Sequence, residues 1–556
     1  MAERIVQQPV ATERQKHFSE LPSAEVERST FDMSHSWKGT HQTNRIVPIL
    51  LQEILPGDTF NVKTTAFTRL ATPLKPIYDN ITADIHYFFV PTRLVWDNWQ
   101  NFMGERDDID DDPSELSVPQ LNIDLDIQLQ TQNLADYFGL PLFDERNIDV
   151  QVNTLPFRGY ELVWNEWYRN QSLTSKTNVP KNDGPDNPSI FGLGFIKTRH
   201  KRADYFVRAL PWPQKGDPVY LPLGQKAPIE GIGKADQVYV DGPISNIHQT
   251  GREEFGTVTW PHASRVDSAT DDWYVREATD ETGTGTGWPN IVADLTKATA
   301  ATINDIRTAF QIQRLLERDA RGGTRYIEIL LSHFNVQSPD FRLQRPEFLG
   351  GGSGRITINP VASTTAYASG DDTVPQGNLS AVGTGVIKAG FNHSFTEHGY
   401  LFGLMSARAD LTYQQGMDKI WTRQTRYDYY WPALSHLGEQ QILNREIYFT
   451  SSEQTDGEIN TSTWGFQERY AEYRYQPGRI TGKFRSADPA SLDVWHLAQD
   501  FDELPLLDTP FLLEDPPIER IVAVPSEPDL LTDVWHEMKA TRPMPIYSVP
   551  GMVDHF

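Results

Sequence analysis

Arg321 to Gly352 reads RGGTRYIEILLSHFNVQSPDFRLQRPEFLGGG. Gly322-Gly323 permits a sharp exit from the helical pattern before it. Tyr326 to Leu331 then reads as a short strand, apolar enough to be covered on both faces. His333 to Pro339 leaves that strand as an ordered loop. Pro339 and Pro346 remove two backbone donors, and Gly350 to Gly352 release the chain. A packed strand between long irregular segments is the pattern of a barrel wall with surface excursions, not of an active-site loop.

The flanking chain carries the same pattern. Leu55-Pro56-Gly57-Asp58 is a turn. After it Phe60, Val62, Thr64 and Ala66 alternate with polar residues, which is the period of a strand. Ile81 to Val90 is a second strand, stopped by Pro91. Two strands of about ten residues joined by Pro-rich turns point to a sandwich or barrel. Helices are few. Leu94, Val95, Trp99, Phe102 and Met103 mark a short one. Tyr160, Val163, Trp164, Trp167 and Tyr168 fall at i, i+3, i+4, i+7, i+8 and predict a helix with one aromatic face. Thr302 caps a third, with Ile303, Ile306, Phe310 and Leu315 as its buried side. Further on, 396–415 reads as strand-rich, 421–431 as strongly aromatic, 469–486 as two strand-like runs and 491–501 as a helix. The 38 prolines and 38 glycines suit an all-β, loop-rich fold.

Composition excludes several functions. With no cysteine there is no disulfide, thiolate zinc site or cysteine nucleophile. The N-terminal MAERIVQQPVATERQKHF lacks the apolar core of a signal peptide. No apolar run reaches the roughly 18 to 20 residues that span a membrane. A formal charge of −25 argues against a free surface built to grip phosphate, though not against a local basic patch.

The motifs that would carry catalysis are incomplete. His35 and His41 lack a third ligand at a usable spacing. Asp108, Asp110 and Asp112 open like an EF-hand, but Pro113 and Pro119 stand where Gly and Glu are needed. His536-Glu537 has Ala540 in place of the second histidine of a zinc-protease motif. Gly482-Lys483 lacks the upstream glycine of a P-loop, and Arg355 breaks G-x-S-x-G around Ser353. No catalytic residue, metal site or cofactor is therefore expected. The densest basic cluster is Lys197, Arg199, His200, Lys201 and Arg202, with Arg208, Tyr205, Phe206 and Trp212 nearby. Cations beside rings suit unpaired nucleic acid, and Lys197, Arg199, Lys201 and Arg202 are the candidate contacts. A contact to acids of a neighbouring subunit is the equal alternative.

From Lys226 to Ala300 the character shifts to glycine, threonine and aspartate, with GTGTG at 283–287. Such a segment inside a domain is normally an excursion with its own role.

Four strings together resemble the major capsid proteins of the microviruses, small single-stranded DNA phages, in their gokushovirus branch. They are the opening stretch, FDMSHSWKGTHQTNRIVP at 31–48, FRGYELVWNEWYRNQS at 157–172 and FIKTRHKRADYFVRALPWPQKG at 195–216. The match covers most of the chain outside 226–300 and the acidic loop at 105–115. The resemblance implies a mainly β fold, an eight-stranded antiparallel jelly roll with long loop insertions and a few short helices. It implies one capsid domain over 1–556, an N-terminal arm at 1–50, an extended C-terminal arm at 540–556, and 226–300 as a surface insertion at the threefold axes. It further implies a homo-oligomer of roughly sixty copies in a T=1 shell, around circular single-stranded DNA. An internal scaffolding protein, a DNA pilot protein and a host receptor would be the other partners, with assembly in the host cytoplasm. A β-sandwich carbohydrate-active hydrolase or a lectin-like module is the competing reading, resting only on tryptophan, tyrosine and acid content.

Overall fold

The computed structural model describes residues 26–105, 116–123, 131–141, 150–187, 195–219, 229–230, 292–293, 303–322, 326–335, 344–369, 372–451 and 456–547. The chain divides into two compact units, Met1–Pro213 with Gln337–Phe556, and Gln214–Val336.

The first unit is built on one curled antiparallel sheet. Its nine strands are β1 (Ser29–Asp32), β2 (His35–His41), β3 (Val47–Ile54), β4 (Thr59–Leu70), β5 (Ile81–Pro91), β6 (Glu347–Ala362), β7 (Leu379–Ser394), β8 (Gly399–Ala409) and β9 (Leu530–Arg542). They run in the order β1-β9-β4-β7-β6-β5-β8-β3, with β2 also on β9. β1 pairs with the last residues of β9 and β2 with its first, so nine strands fill eight lanes. The mainly β, jelly-roll-type architecture expected from the sequence is therefore the one observed.

Alternation creates the core. On β4, Phe60, Val62, Thr64, Ala66, Thr68 and Leu70 are buried and the residues between them are exposed, as the period predicts. β9 alternates just as strictly from Leu530 to Ala540. β5 and β8 are buried on both faces. One face meets the barrel interior, where Ile81, Ile85 and Tyr87 pack with Leu401, Met405, Val534 and Met538. The other is covered by helix α1 (Leu155–Val163), whose Phe157 and Tyr160 pack with Phe88, Val90, Phe402 and Leu404. The predicted aromatic helix is thus present, but its last turn, Trp164–Tyr168, widens to a π-turn. A third cluster joins Phe206, Tyr413, Ile442, Trp464 and Phe511.

Two polar threads run through the barrel interior. His536 is fully buried on β9; Thr64 of β4 lies 2.8 Å from its Nδ1, and the carbonyl of Ile49 on β3 lies 3.0 Å from its Nε2. The Tyr87 hydroxyl donates to the same Thr64. His41, also fully buried, reaches Thr532 at 3.1 Å, and Thr532 meets Thr68 at 3.2 Å. These bonds satisfy groups that would otherwise be costly in an apolar core.

The deciding stretch corrects the sequence reading twice. Tyr326 to Leu331 is not a strand. It lies in a helix, α3 (Tyr326–Phe334), in the second unit. Ile327, Leu330, Leu331 and Phe334 hold helical spacing, and a short apolar run carries no information that separates the two periods. Gly350 to Gly352 do not release the chain either. They lie inside β6, paired with Tyr87, His86 and Ile85 of β5. A Cβ on Gly352 would strike the Lys388 carbonyl of β7, and Gly350 has a φ of +157°. Here glycine permits close backbone approach in a wall. Nearer the C-terminus, the helix expected at 491–501 is a single 3-10 turn at Asp493–Trp495. The strand-like runs at 469–486 are mainly 3-10 turns, plus Gly478–Arg479 paired parallel to Thr412–Tyr413.

Of the expected arms, 29–32, 35–41 and 47–50 are strand and 540–542 finish β9; residues 1–25 and 548–556 lie outside the described residues. So do 106–115 of the acidic loop.

In the second unit, α2 (Ile303–Arg321) is followed by α3, and His333 Nε2 lies 2.7 Å from Asp319 Oδ1. Of the side of α2 expected to be buried, Phe310 and Leu315 are exposed and Ile306 is half-buried. Near the ends of the 226–300 segment, Ile229–Glu230 pairs antiparallel with Val292–Ala293. The rest of that segment lies outside the described residues.

Two outcomes follow for the first unit. Gly352→Ala should cost about 1–3 kcal/mol in denaturant unfolding, because β7 must move away. An unchanged midpoint would mean that β6 and β7 separate freely. Burial pushes His41 and His536 down to about 4. An unfolded histidine titrates near 6.5. Between these values the unfolded chain takes up protons that the folded chain refuses, so each histidine's contribution falls as pH drops. The stability gap between the natural chain and His536→Gln should therefore shrink by about 3 kcal/mol from pH 7 to pH 4. A gap independent of pH would show His536 is not held neutral.

Candidate nucleic-acid interface

Asp84 is the only charge in the apolar strand β5. Its neighbours across the sheet are Ser353 on β6 and Ser406 on β8. Alternation turns Asp84 away from the barrel interior, onto the face where α1 packs. Ser353 donates to its Oδ1 at 2.5 Å, Arg408 of β8 to its Oδ2 at 2.9 Å, and Arg199 lies 2.7 Å from Oδ2. Arg199 also donates to Ser406. Burial pushes the Asp84 carboxyl up, but Arg199, Ser353 and Arg408 together hold it below the ordinary carboxylate range. Ser353, which the sequence reading discarded as a nucleophile, is a hydroxyl donor in this network.

The basic segment is laid beside the sheet by backbone contacts. The Tyr160 hydroxyl of α1 donates to the Ile46 carbonyl and accepts from the Lys197 N–H. The Arg199 N–H donates to Asn44, and that of Lys201 to Leu512. The four candidate residues then diverge. Lys197 pairs with buried Glu161 at 3.0 Å and lies over the Trp164 ring. Burial raises the Glu161 carboxyl to about 7 although Lys197 opposes it. Arg199 is committed to Asp84. Lys201 is buried; its ammonium donates to the Phe511 carbonyl and Gln499 and sits 4.4 Å from the Phe511 ring centre. Burial lowers it to about 8, against the pull of Glu514, Asp204 and Asp515. Arg202 alone of the four is substantially exposed, 3.2 Å from Asp410 at the surface.

Beside this network lies a cleft of about 330 Å³. Arg199 and Arg408 supply two guanidinium groups against one carboxylate. Phe88, Trp167, Tyr168 and Phe348 supply rings, and His86, His200 and Lys201 complete the lining. Trp167 and Phe348 reach solvent, 5.8 Å apart between ring centres, with Arg345 over Trp167. Burial, with help from Arg199, lowers His86 to about 4, and burial with Arg169 does the same for His200. Both rings are therefore neutral at pH 7. An excess of guanidinium beside open rings can hold an anionic planar group. The sequence reading missed Asp84, Glu161 and Arg408. The readable signal was a lone charge in each of two apolar strands, since a buried charge demands a partner.

Comparison with known proteins is decisive at this point. The sequence model of a phage capsid family, described as "Capsid protein (F protein)", matches residues 19–552. The chain belongs to that family. Capsid protein VP1 of Bdellovibrio phage phiMH2K is 44% identical over 554 residues, 98% of each chain. Capsid protein VP1 of Chlamydia phage 1 is 38% identical over 586 residues, 96% of this chain and 97% of its own. Capsid protein VP1 of Spiroplasma virus 4 is 33% identical over 555 residues, with the same coverage. All three are Microviridae proteins, as the four strings implied. This capsid protein is structural, and the hydrolase and lectin alternatives find no support. No helix among the described residues is long and apolar enough to cross a membrane.

The geometry separates the basic residues by consequence. Arg199→Ala leaves a buried carboxylate short of a partner and should cost about 3 kcal/mol or more. Arg202→Ala removes a surface pair and should change stability by no more than about 0.5 kcal/mol. Chemical denaturation of the two variants checks the contrast, and equal costs would contradict it.

Proposed function

We propose that this chain is the repeating unit of a closed T=1 shell, roughly sixty copies, around a circular single-stranded DNA genome. The observation that carries the reading is the family match over nearly the whole chain, residues 19–552. The curled sheet suits the role. Its interior holds one apolar cluster threaded by hydrogen-bonded polar groups, so the long connections are free to form contacts.

In this reading the shell assembles in the host cytoplasm with an internal scaffolding protein and a DNA pilot protein. The 226–300 insertion faces the host and takes part in attachment. DNA is met by cations that the fold leaves available. Of the four candidate residues, Arg202 suits direct phosphate contact by its exposure. Lys197, Arg199 and Lys201 hold the cleft in shape, and Trp167 and Phe348 offer faces on which bases stack.

Imaging and sedimentation of the native assembly test the proposal. Uniform isometric particles holding nuclease-protected single-stranded DNA are expected, and a monomer in the presence of the companion viral proteins would overturn it. Arg202→Ala should lower DNA content without lowering shell yield.

A further inference from the structure

The aromatic run Trp421 to Trp431 does not enter the core. Trp421, Tyr427, Tyr429, Tyr430, Trp431 and Tyr473 are each about half exposed or more, and Ile420 and Leu437 beside them are over 60% exposed. Contiguous apolar exposure on this scale marks an interaction surface.

The loop is held rigidly in this exposed form. Asp428 accepts from the Gln424 and Thr425 N–H groups at 2.9 and 2.7 Å. The Tyr470 hydroxyl donates to the Tyr429 carbonyl and accepts from the Trp431 N–H. The Trp431 indole donates to the Arg426 carbonyl at 2.7 Å. Arg423, nearly buried, lies between the Tyr429 and Tyr473 rings and pairs with Glu472. Rings fixed before contact lose little entropy on binding.

Resting on the shell reading, we propose that this patch docks a second copy of the chain. Three observations favour a copy over nucleic acid. Ile420 and Leu437 add apolar area but no stacking face. Arg423 is turned inward and Arg426 lies flat over Tyr427, so few cations project towards phosphate. And the run 418–439 balances Lys419, Arg423 and Arg426 against Asp418, Asp428 and Glu439, so on a chain of net charge −25 this patch brings no net charge of its own to repel a second copy. Rings of about 150–250 Å² each, half exposed, offer on the order of 600 Å². With the two aliphatic side chains that approaches the roughly 800 Å² per partner of a stable contact.

The test uses Ile420→Asp with Leu437→Asp, which removes no hydrogen bond, and Tyr427→Ala as a second variant, in particles made by cells carrying the complete viral gene set. The expected result is a loss of particles of tenfold or more while the unassembled chain keeps its melting temperature. Normal yields of shells lacking DNA would overturn the proposal in favour of a nucleic-acid platform. Normal, filled shells would overturn it outright. If the natural chain forms no particles, it is the shell reading that has failed.

Discussion

His536 ties the seam of the barrel. It stands on β9, contacts Thr64 on the adjacent β4, and reaches across the interior to the Ile49 carbonyl on β3. β9 and β3 are not neighbours in the sheet order. A leucine at 536 would fill similar space but leave the Ile49 carbonyl without this bond and Thr64 without a partner on that side. The cost of stranding buried polar groups exceeds the net gain of one hydrogen bond. The seam therefore favours one register of β9, because a slip by one residue turns His536 outward and Trp535 into the core. Residues 29–32 and 35–41 depend on that register, since β1 and β2 both pair with β9.

The outer face of β5 and β8 follows a similar logic with stronger charges. An apolar layer covers most of it, and Asp84 and Arg408 interrupt that layer. Each needs the other, and Arg199 completes the arrangement from a separate segment. Once Arg199 is drawn in, the backbone from Lys197 to Lys201 is fixed against Asn44 and Leu512, and Arg202 is carried to the surface. The cleft beside it follows from bringing two guanidinium groups to one carboxylate among large rings.

Much of this was legible in the sequence, and the rest failed for identifiable reasons. β4 was readable because its inward residues are mostly apolar and its outward ones mostly polar. β9 alternates as strictly in space but not in letters, since Thr532 and His536 face inward while Leu531 and Trp535 face outward. Polar residues satisfied in a core and apolar residues on an outer face erase the pattern. The helix at 326–334 was misread because nine apolar-rich residues support either period. The triple glycine was misread because crowding by β7 is a long-range fact that no local rule contains. For the site, the four cations were found by density alone. Density cannot separate a cation bound to Asp84 from one at the surface, because the partners lie 36 to 310 positions away.

The distribution of aromatic residues shows how one chain can serve two purposes. Tyr87 and Tyr160 are nearly or fully buried with their hydroxyls bonded inward, and they hold the fold. Tyr427, Tyr429 and Trp431 have similar chemistry but lie outside, fixed by backbone hydrogen bonds rather than by packing. A globular protein working alone would gain by burying such rings or replacing them with polar residues. Spending hydrogen bonds to hold them open makes physical sense only when a partner completes the burial. A protein that must fold as a single chain and then bury more surface as one of many copies needs both kinds of aromatic residue. It also needs them separated, so that assembly does not draw on the contacts that hold the subunit together.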